Sequence, residues 1–175
     1  KAIKDNALLA KYSGGLGILA SATMSLAELD AAIAKVRERT SNPFGVNLLP
    51  AVPDAAQRID LIISAKVPVA SFAAAPKADQ VARLRDAGVT TVVTVGAKRH
   101  AEKMAQLGVS AVIAQGGEGG GHTGTIATTL LLPHVVDAVA GSDVVVLGAG
   151  VFFDGRGLAA ALAFGADGIA MGTRL

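Results

Sequence analysis

The run Gln115-Gly116-Gly117-Glu118-Gly119-Gly120-Gly121-His122-Thr123-Gly124 sets one imidazole among six glycines in ten residues. Glycine is costly in backbone entropy and brings no side chain to pack. Such a density makes sense where the main chain must pass close to a flat ligand or take positive φ. An imidazole there can take or give a proton near neutral pH, which marks His122 as a candidate catalytic base or acid. Composition alone leaves a flexible loop with a solvated histidine as the alternative. A second constellation, Gly148-Ala149-Gly150-Val151 with Gly172-Thr173 further on, has the character of an anion grip. Backbone N–H groups in turns after two strands, with a helix begun by Asp154-Gly155-Arg156-Gly157, can hold a phosphate. Glycine used only for tight turns is the alternative, weakened because both strand ends are glycine-bearing. Glu118 could orient the first loop through backbone N–H groups, and Asp154 and Arg156 read as helix-capping and surface groups. His100, beside Lys98, Arg99 and Lys103, reads as part of a solvated face, and His134, after Pro133, as structural. No histidine pair has metal-ligand spacing and no carboxylate cluster marks a cation site, so no metal is expected.

The elements that must position these residues alternate along the chain. Short apolar, β-branched runs recur at residues 16–20, 44–48, 69–72, 91–95, 111–115, 144–147 and 168–171. Between them Ala, Leu and charges fall at helical spacing over residues 25–39, 54–65, 77–87, 97–107, 128–140 and 155–164, with a leading helix at 6–12. Ser25 with Glu28 three residues on predicts a capping box, and Gly88 and Gly108 predict helix stops. Near-continuous apolar strands alternating with helices imply parallel pairing with both faces covered. The even rhythm, and the lack of a Gly-rich nucleotide loop after the first strand, favour a (β/α)8 barrel over an open doubly wound sheet. The glycine loop would then leave the C-terminal end of a strand, the catalytic face of such a barrel. Seven strand-like runs, not eight, and 175 residues fall short of the roughly 200–250 typical of a barrel.

Composition excludes several classes. Of the 175 residues 51% are hydrophobic and only 17% charged, the reverse of a disordered chain and enough for a buried core. There is no cysteine, hence no disulfide scaffold, thiolate catalysis or thiolate metal site. The pI near 9.1 rests on 16 Lys+Arg against 14 Asp+Glu, a net charge of +2. Scattered cations and 3% aromatics do not make a nucleic-acid platform. Mean hydropathy is high, +0.51, yet the apolar runs fall short of the 18 or so residues of a spanning helix. With no secretory h-region at the start, a cytoplasmic location is expected.

The motifs Gly14-Gly15-Leu16-Gly17, Phe44-Gly45-Val46-Asn47, the loop from Gln115 to Gly124, Asp154-Gly155-Arg156-Gly157 and Met171-Gly172-Thr173-Arg174 span nearly the whole chain. With them the sequence resembles the nitronate monooxygenase (2-nitropropane dioxygenase) family of FMN-dependent βα barrels. Within that family the loop from Gly117 to Gly124 and Phe152-Phe153-Asp154 resemble the actinobacterial flavin reductases of coenzyme A thioesters in steroid-ring degradation. The flavin-dependent enoyl-thioester reductases of fatty-acid synthesis share the framework.

The resemblance implies an FMN-dependent oxidoreductase of the nitronate monooxygenase type, oxidising alkyl nitronates with oxygen, with His122 as the base beside the flavin. One alternative is an FMN- and NAD(P)H-dependent reductase of a coenzyme A thioester. Another is a non-catalytic phosphate-binding barrel fragment. By the same resemblance Asn47 and Gln115 would hydrogen-bond the flavin ring, and Gly120 would let the loop lie against it. Gly150, Val151, Ala170, Met171, Gly172 and Thr173 would hold the FMN phosphate. The partner expected is a small molecule, nitronate or acyl-CoA thioester, with no nucleic acid and no membrane; a homo-oligomer is compatible with the sequence. Residues 1–175 are expected to form a single FMN-binding domain, a (β/α)8 TIM barrel lacking its first strand and the segment after the eighth. Val151 departs from the family, which usually has two adjacent glycines there. If the second must adopt a glycine-only conformation, Val151 would strain the loop.

Overall fold

The computed structural model describes residues 14–121 and 124–172. The helix expected at 6–12 lies outside the described residues. The chain divides into two compact units, Lys1–Thr91 and Val92–Leu175.

In the first unit β1 (Gly17–Ala20), β2 (Phe44–Leu48) and β3 (Val69–Phe72) are parallel neighbours in chain order. They alternate with α1 (Leu26–Arg39), α2 (Ala55–Ser64) and α3 (Ala78–Asp86). Phe44, Gly45, Val46 and Leu48 of β2 and all four residues of β3 are buried. Both faces of these strands are covered, which is why they read as apolar runs and not as alternation. The Ser25 hydroxyl accepts from the Glu28 N–H (3.3 Å) while the Glu28 carboxylate accepts from the Ser25 N–H (2.8 Å), the reciprocal cap that starts α1. Leu29, Ile33 and Val36 then form its buried stripe, one residue per turn.

A charge stands on the buried stripe of α2. Arg58 is 7% exposed. Its guanidinium donates to the carbonyls of Ser21 (2.9 Å) and Met24 (2.6 Å) and to the Asp54 carboxylate (2.9 Å). The turn after β1 is thereby fastened to α2. The hydrogen bond from Arg58, reinforced by its positive charge, holds the Asp54 carboxyl below the usual carboxylate range.

The second unit pairs β4 (Thr90–Val95), β5 (Ala111–Gln115), β6 (Val145–Ala149) and β7 (Gly168–Ala170) in parallel and in order, the pairing of β4 beginning at Val92. Between them run α4 (Lys98–Gln106), α5 (Thr128–Val139) and α6 (Gly155–Ala163). The expected stops hold: Gly88 and Gly108 follow α3 and α4 with φ of +74° and +76°, the left-handed cap that glycine adopts without a Cβ penalty. β6 extends two residues past the predicted run, so Gly148 and Ala149 are strand, paired with Ala114 and Gln115. Packing explains the extension. A Cβ on Gly148 would stand 2.5 Å from the Phe152 ring and 3.0 Å from Leu132, so the missing side chain is replaced by neighbours and the strand continues. At the other end β7 stops at Ala170 and leaves Met171 to the turn.

Seven strands, parallel within each unit, alternate with six helices among the described residues, an α/β fold with the strand–helix rhythm of a (β/α)8 barrel. No described helix is long and apolar enough to cross a membrane.

Candidate functional site

Gln115 pairs with Ala149, and Ala149 with Ala170. The last residues of β5, β6 and β7 therefore stand in one row, and the turns that follow leave from one rim. A cleft of about 350 Å3 opens there. Six residues expected from the sequence line it together: Gln115, Gly120, Gly150, Ala170, Met171 and Gly172. Phe152 and Phe153 add an aromatic part of the wall. Val151 is 40% exposed and is not part of that wall. His122 and Thr173 lie outside the described residues.

The glycines at the rim divide into two kinds. Gly116, Gly119 and Gly150 are required by the protein itself. A Cβ on Gly116 would fall 2.1 Å from the Thr128 hydroxyl, one on Gly119 2.8 Å from the Gln115 side chain, and one on Gly150 2.8 Å from Thr128 again. Gly150 also holds φ +127°, a conformation that a side chain makes costly. Around Gly120 and Gly172, by contrast, a Cβ would meet nothing within 4 Å. Those two face open space.

The described part of the loop is tied down at several points. The Gly117 N–H donates to the Ile126 carbonyl (2.8 Å) and the Gly116 N–H to Ala149 of β6 (3.3 Å). The Gln115 amide donates through Nε2 to the Gly120 carbonyl (2.9 Å). Glu118 accepts from the Thr128 N–H at 2.9 and 3.2 Å through its two oxygens, and from the Thr128 hydroxyl at 2.8 Å. These bonds, the hydroxyl first, hold the Glu118 carboxyl below its ordinary value. Glu118 is thus occupied as a loop anchor at the start of α5, the role read for it from the sequence. Asp154 is likewise spoken for: its carboxylate accepts from the N–H groups of Arg156 (3.0 Å) and Gly157 (3.4 Å) and pairs with the Arg156 guanidinium (2.6 Å). The first turn of α6 therefore has its own anion.

Asn47 belongs to the first unit, one residue before the end of β2. Its amide donates through Nδ2 to the Ser71 hydroxyl (3.3 Å) and carbonyl (3.4 Å), and its backbone carbonyl accepts from the Ser21 hydroxyl (2.5 Å). The orientation of this amide is set by Ser71, leaving Oδ1 as its acceptor end.

Sequence reasoning passed over Thr128, Ser71 and Arg58. Ser71 carried a signal, as a polar residue inside an apolar strand, and so did Arg58, at helical spacing with Ala55, Ile59 and Ile62. Thr128 carried none, because its partners are ten and more residues away. His100 is exposed, as a solvated position requires, and His134 is exposed as well.

The nitronate monooxygenase family matches this chain over residues 6–57 and 51–175. A (3aS,4S,5R,7aS)-5-hydroxy-7a-methyl-1-oxo-octahydro-1H-indene-4-carboxyl-CoA dehydrogenase of Mycobacterium tuberculosis (strain ATCC 25618 / H37Rv) is 60% identical over 162 residues, 93% of this chain and 46% of that protein. Among solved structures, a FabK (M276A) mutant from Thermotoga maritima superposes with a TM-score of 0.92 at 36% identity, covering 99% of this chain and 57% of the other. Nitroalkane oxidase from Streptomyces ansochromogenes gives 0.88 at 31% identity, with 98% and 61% covered. The chain spans about half the length of the curated dehydrogenases it matches.

Proposed function

Since the chain belongs to the nitronate monooxygenase family, we propose that it works as an FMN-dependent oxidoreductase acting on a coenzyme A thioester. One observation carries the reading. Turns after three successive parallel strands converge on a single cleft, and at Gly120, Gly150 and Gly172 they offer it only main chain. In barrels of this type the last strand–helix turns are where a phosphate is held by backbone N–H groups.

The residues present fit such a cofactor. Open space at Gly120 and Gly172 leaves room for a flat ring and a phosphate tail, and the cleft volume falls within the range of small-molecule sites. Gly150, Val151, Ala170, Met171, Gly172 and Thr173 would hold the phosphate. Gln115, whose Nε2 is committed to Gly120, has its Oε1 left to accept from a ring N–H. Asn47 is carried as a second ring ligand by the family resemblance alone. Bound flavin supplies two-electron redox chemistry that no side chain of the protein offers. His122 would exchange a proton with the substrate beside it, a role that rests on the sequence.

The thioester is favoured by the 60% identity to the coenzyme A dehydrogenase, with NAD(P)H as the reductant when the reaction runs toward reduction. Oxidation of alkyl nitronates by oxygen is the second reading, favoured by the nitroalkane oxidase structure at 31% identity. Protein mixed with FMN and desalted is expected to stay yellow; colourless protein refutes the cofactor. Loaded protein that oxidises NAD(P)H only when a coenzyme A thioester is added supports the first substrate. Oxygen uptake with an alkyl nitronate and no NAD(P)H transfers the assignment to the second.

A further inference from the structure

Thr128 is 1% exposed, and its hydroxyl sits where the start of α5 meets the glycine loop and the turn after β6. Oγ1 donates to Glu118 at 2.8 Å and lies 3.4 Å from the carbonyl of Ala149, the last residue of β6. The same atom is what a Cβ on Gly116 or on Gly150 would strike, at 2.1 and 2.8 Å. One hydroxyl is therefore packed between the glycine loop and the turn after β6.

From this geometry we infer that Thr128 and Glu118 are positioning residues, a hydroxyl–carboxylate pair that sets where the main chain of Gly119 and Gly120 and the turn at Gly150 stand around the cofactor cleft. The inference rests on the functional reading above for the identity of the ligand. An ordinary helix start would need only a Ser, Thr, Asp or Asn at the cap position. Here that position is Ala127, with no side-chain cap, and the carboxylate comes instead from ten residues earlier. The donor pair of Thr128 thus closes the loop onto α5, and the loop so closed carries Gly119 and Gly120. Because the same hydroxyl bonds the Ala149 carbonyl and stands where a Gly150 side chain would go, the two turns that line the cleft share one support. Neither residue needs to touch substrate or cofactor for this.

The test uses Thr128→Val, which keeps the shape and deletes the hydroxyl, Thr128→Ser as the conservative rescue, and Glu118→Gln. FMN affinity is read by quenching of flavin fluorescence, and amide hydrogen exchange is followed without cofactor over residues 115–121 and 149–152. Thr128→Val is expected to weaken FMN binding about tenfold or more, the scale of losing a hydrogen bond to a charged group. It should also speed exchange in both segments. Thr128→Ser should restore both readouts, and Glu118→Gln should fall between. Faster exchange confined to the first turn of α5, with FMN affinity unchanged, overturns the inference and leaves a plain helix cap. If Thr128→Val does not fold, the comparison of Thr128→Ser with Glu118→Gln decides in the same way. Should the unaltered protein bind no FMN, the functional reading falls, while the exchange arm still decides whether one hydroxyl holds two turns.

Discussion

Two glycines at the rim of the cleft should respond in opposite ways to a single added methyl group. At Gly150 the backbone holds φ +127° and the new Cβ would stand 2.8 Å from the Thr128 hydroxyl. The strained backbone costs about 1–3 kcal/mol. The added methyl group would also push the hydroxyl away from Glu118. Gly150→Ala is therefore expected to destabilise the protein by at least the backbone strain, about 1–3 kcal/mol. For a chain of this length that lowers Tm by roughly 2–12 °C. Gly120 has no such constraint: a Cβ there meets nothing within 4 Å, and its φ is not in the left-handed region. Gly120→Ala should leave Tm unchanged or raise it slightly, because Ala restricts the unfolded chain by about 0.4–1 kcal/mol. Its effect should fall on FMN affinity instead, as a methyl group inserted into the space proposed for the ring. Thermal unfolding of the apoprotein and flavin fluorescence titration separate the two outcomes. A Gly150→Ala protein as stable as the parent, or a Gly120→Ala protein that unfolds early and binds FMN normally, would refute the division of the glycines into those that serve the fold and those that serve the ligand.

Three other outcomes are expected. The Glu118 carboxyl titrates below its ordinary value of 4.5, so its contribution to stability is complete at neutral pH and is lost as pH falls through the depressed value; the Tm gap between the parent and Glu118→Gln should be open at pH 7 and close in acid, and a gap that ignores pH would count against the bond. Arg58→Met keeps the buried bulk but removes the guanidinium's bonds to the Ser21 and Met24 carbonyls and to the Asp54 carboxylate, and urea unfolding should show a loss of about 2–4 kcal/mol; a loss under about 1 kcal/mol would mean those groups find other partners. His122→Ala should keep the yellow chromophore and lose most turnover, and unchanged turnover would remove the imidazole from the reaction.

The elements are largely legible in the sequence, because their signals are local. β2, β3 and β5 fall on the predicted residues, and the Ser25–Glu28 cap forms as its spacing requires. The end of β6 is not legible, since glycine in a strand interior ordinarily argues for a turn, yet the strand runs to Ala149. Whether Gly148 stays in the ladder depends on Phe152 and Leu132 filling the vacated volume, and no window along the chain contains that fact. The site was legible as a set of glycines but not as a mechanism of support. Gly116, Gly119, Gly120 and Gly150 look alike in a sequence, and only contacts distinguish the ones that admit Thr128 or Gln115 from the one that faces a void. Thr128 is the converse case, a polar residue whose importance lies in partners far along the chain, so residue type alone leaves it unremarkable.

Val151 shows how far the separation of the two kinds of glycine reaches. If every glycine in the phosphate turn served the backbone, a β-branched residue there would impose strain. Among the described residues the only non-glycine with positive φ is Lys66, at +51°. The turn after β6 places its left-handed conformation entirely on Gly150, and Val151 follows in a conformation open to any residue, its side chain turned to the surface at 40% exposure. A second glycine at this position is thus not demanded by the main chain. What the turn cannot give up is the absence of a side chain at Gly150, where the Thr128 hydroxyl already occupies the space. The proposed anion site is therefore built outward from a buried hydroxyl, and Val151 stands at the position in it where that hydroxyl imposes nothing.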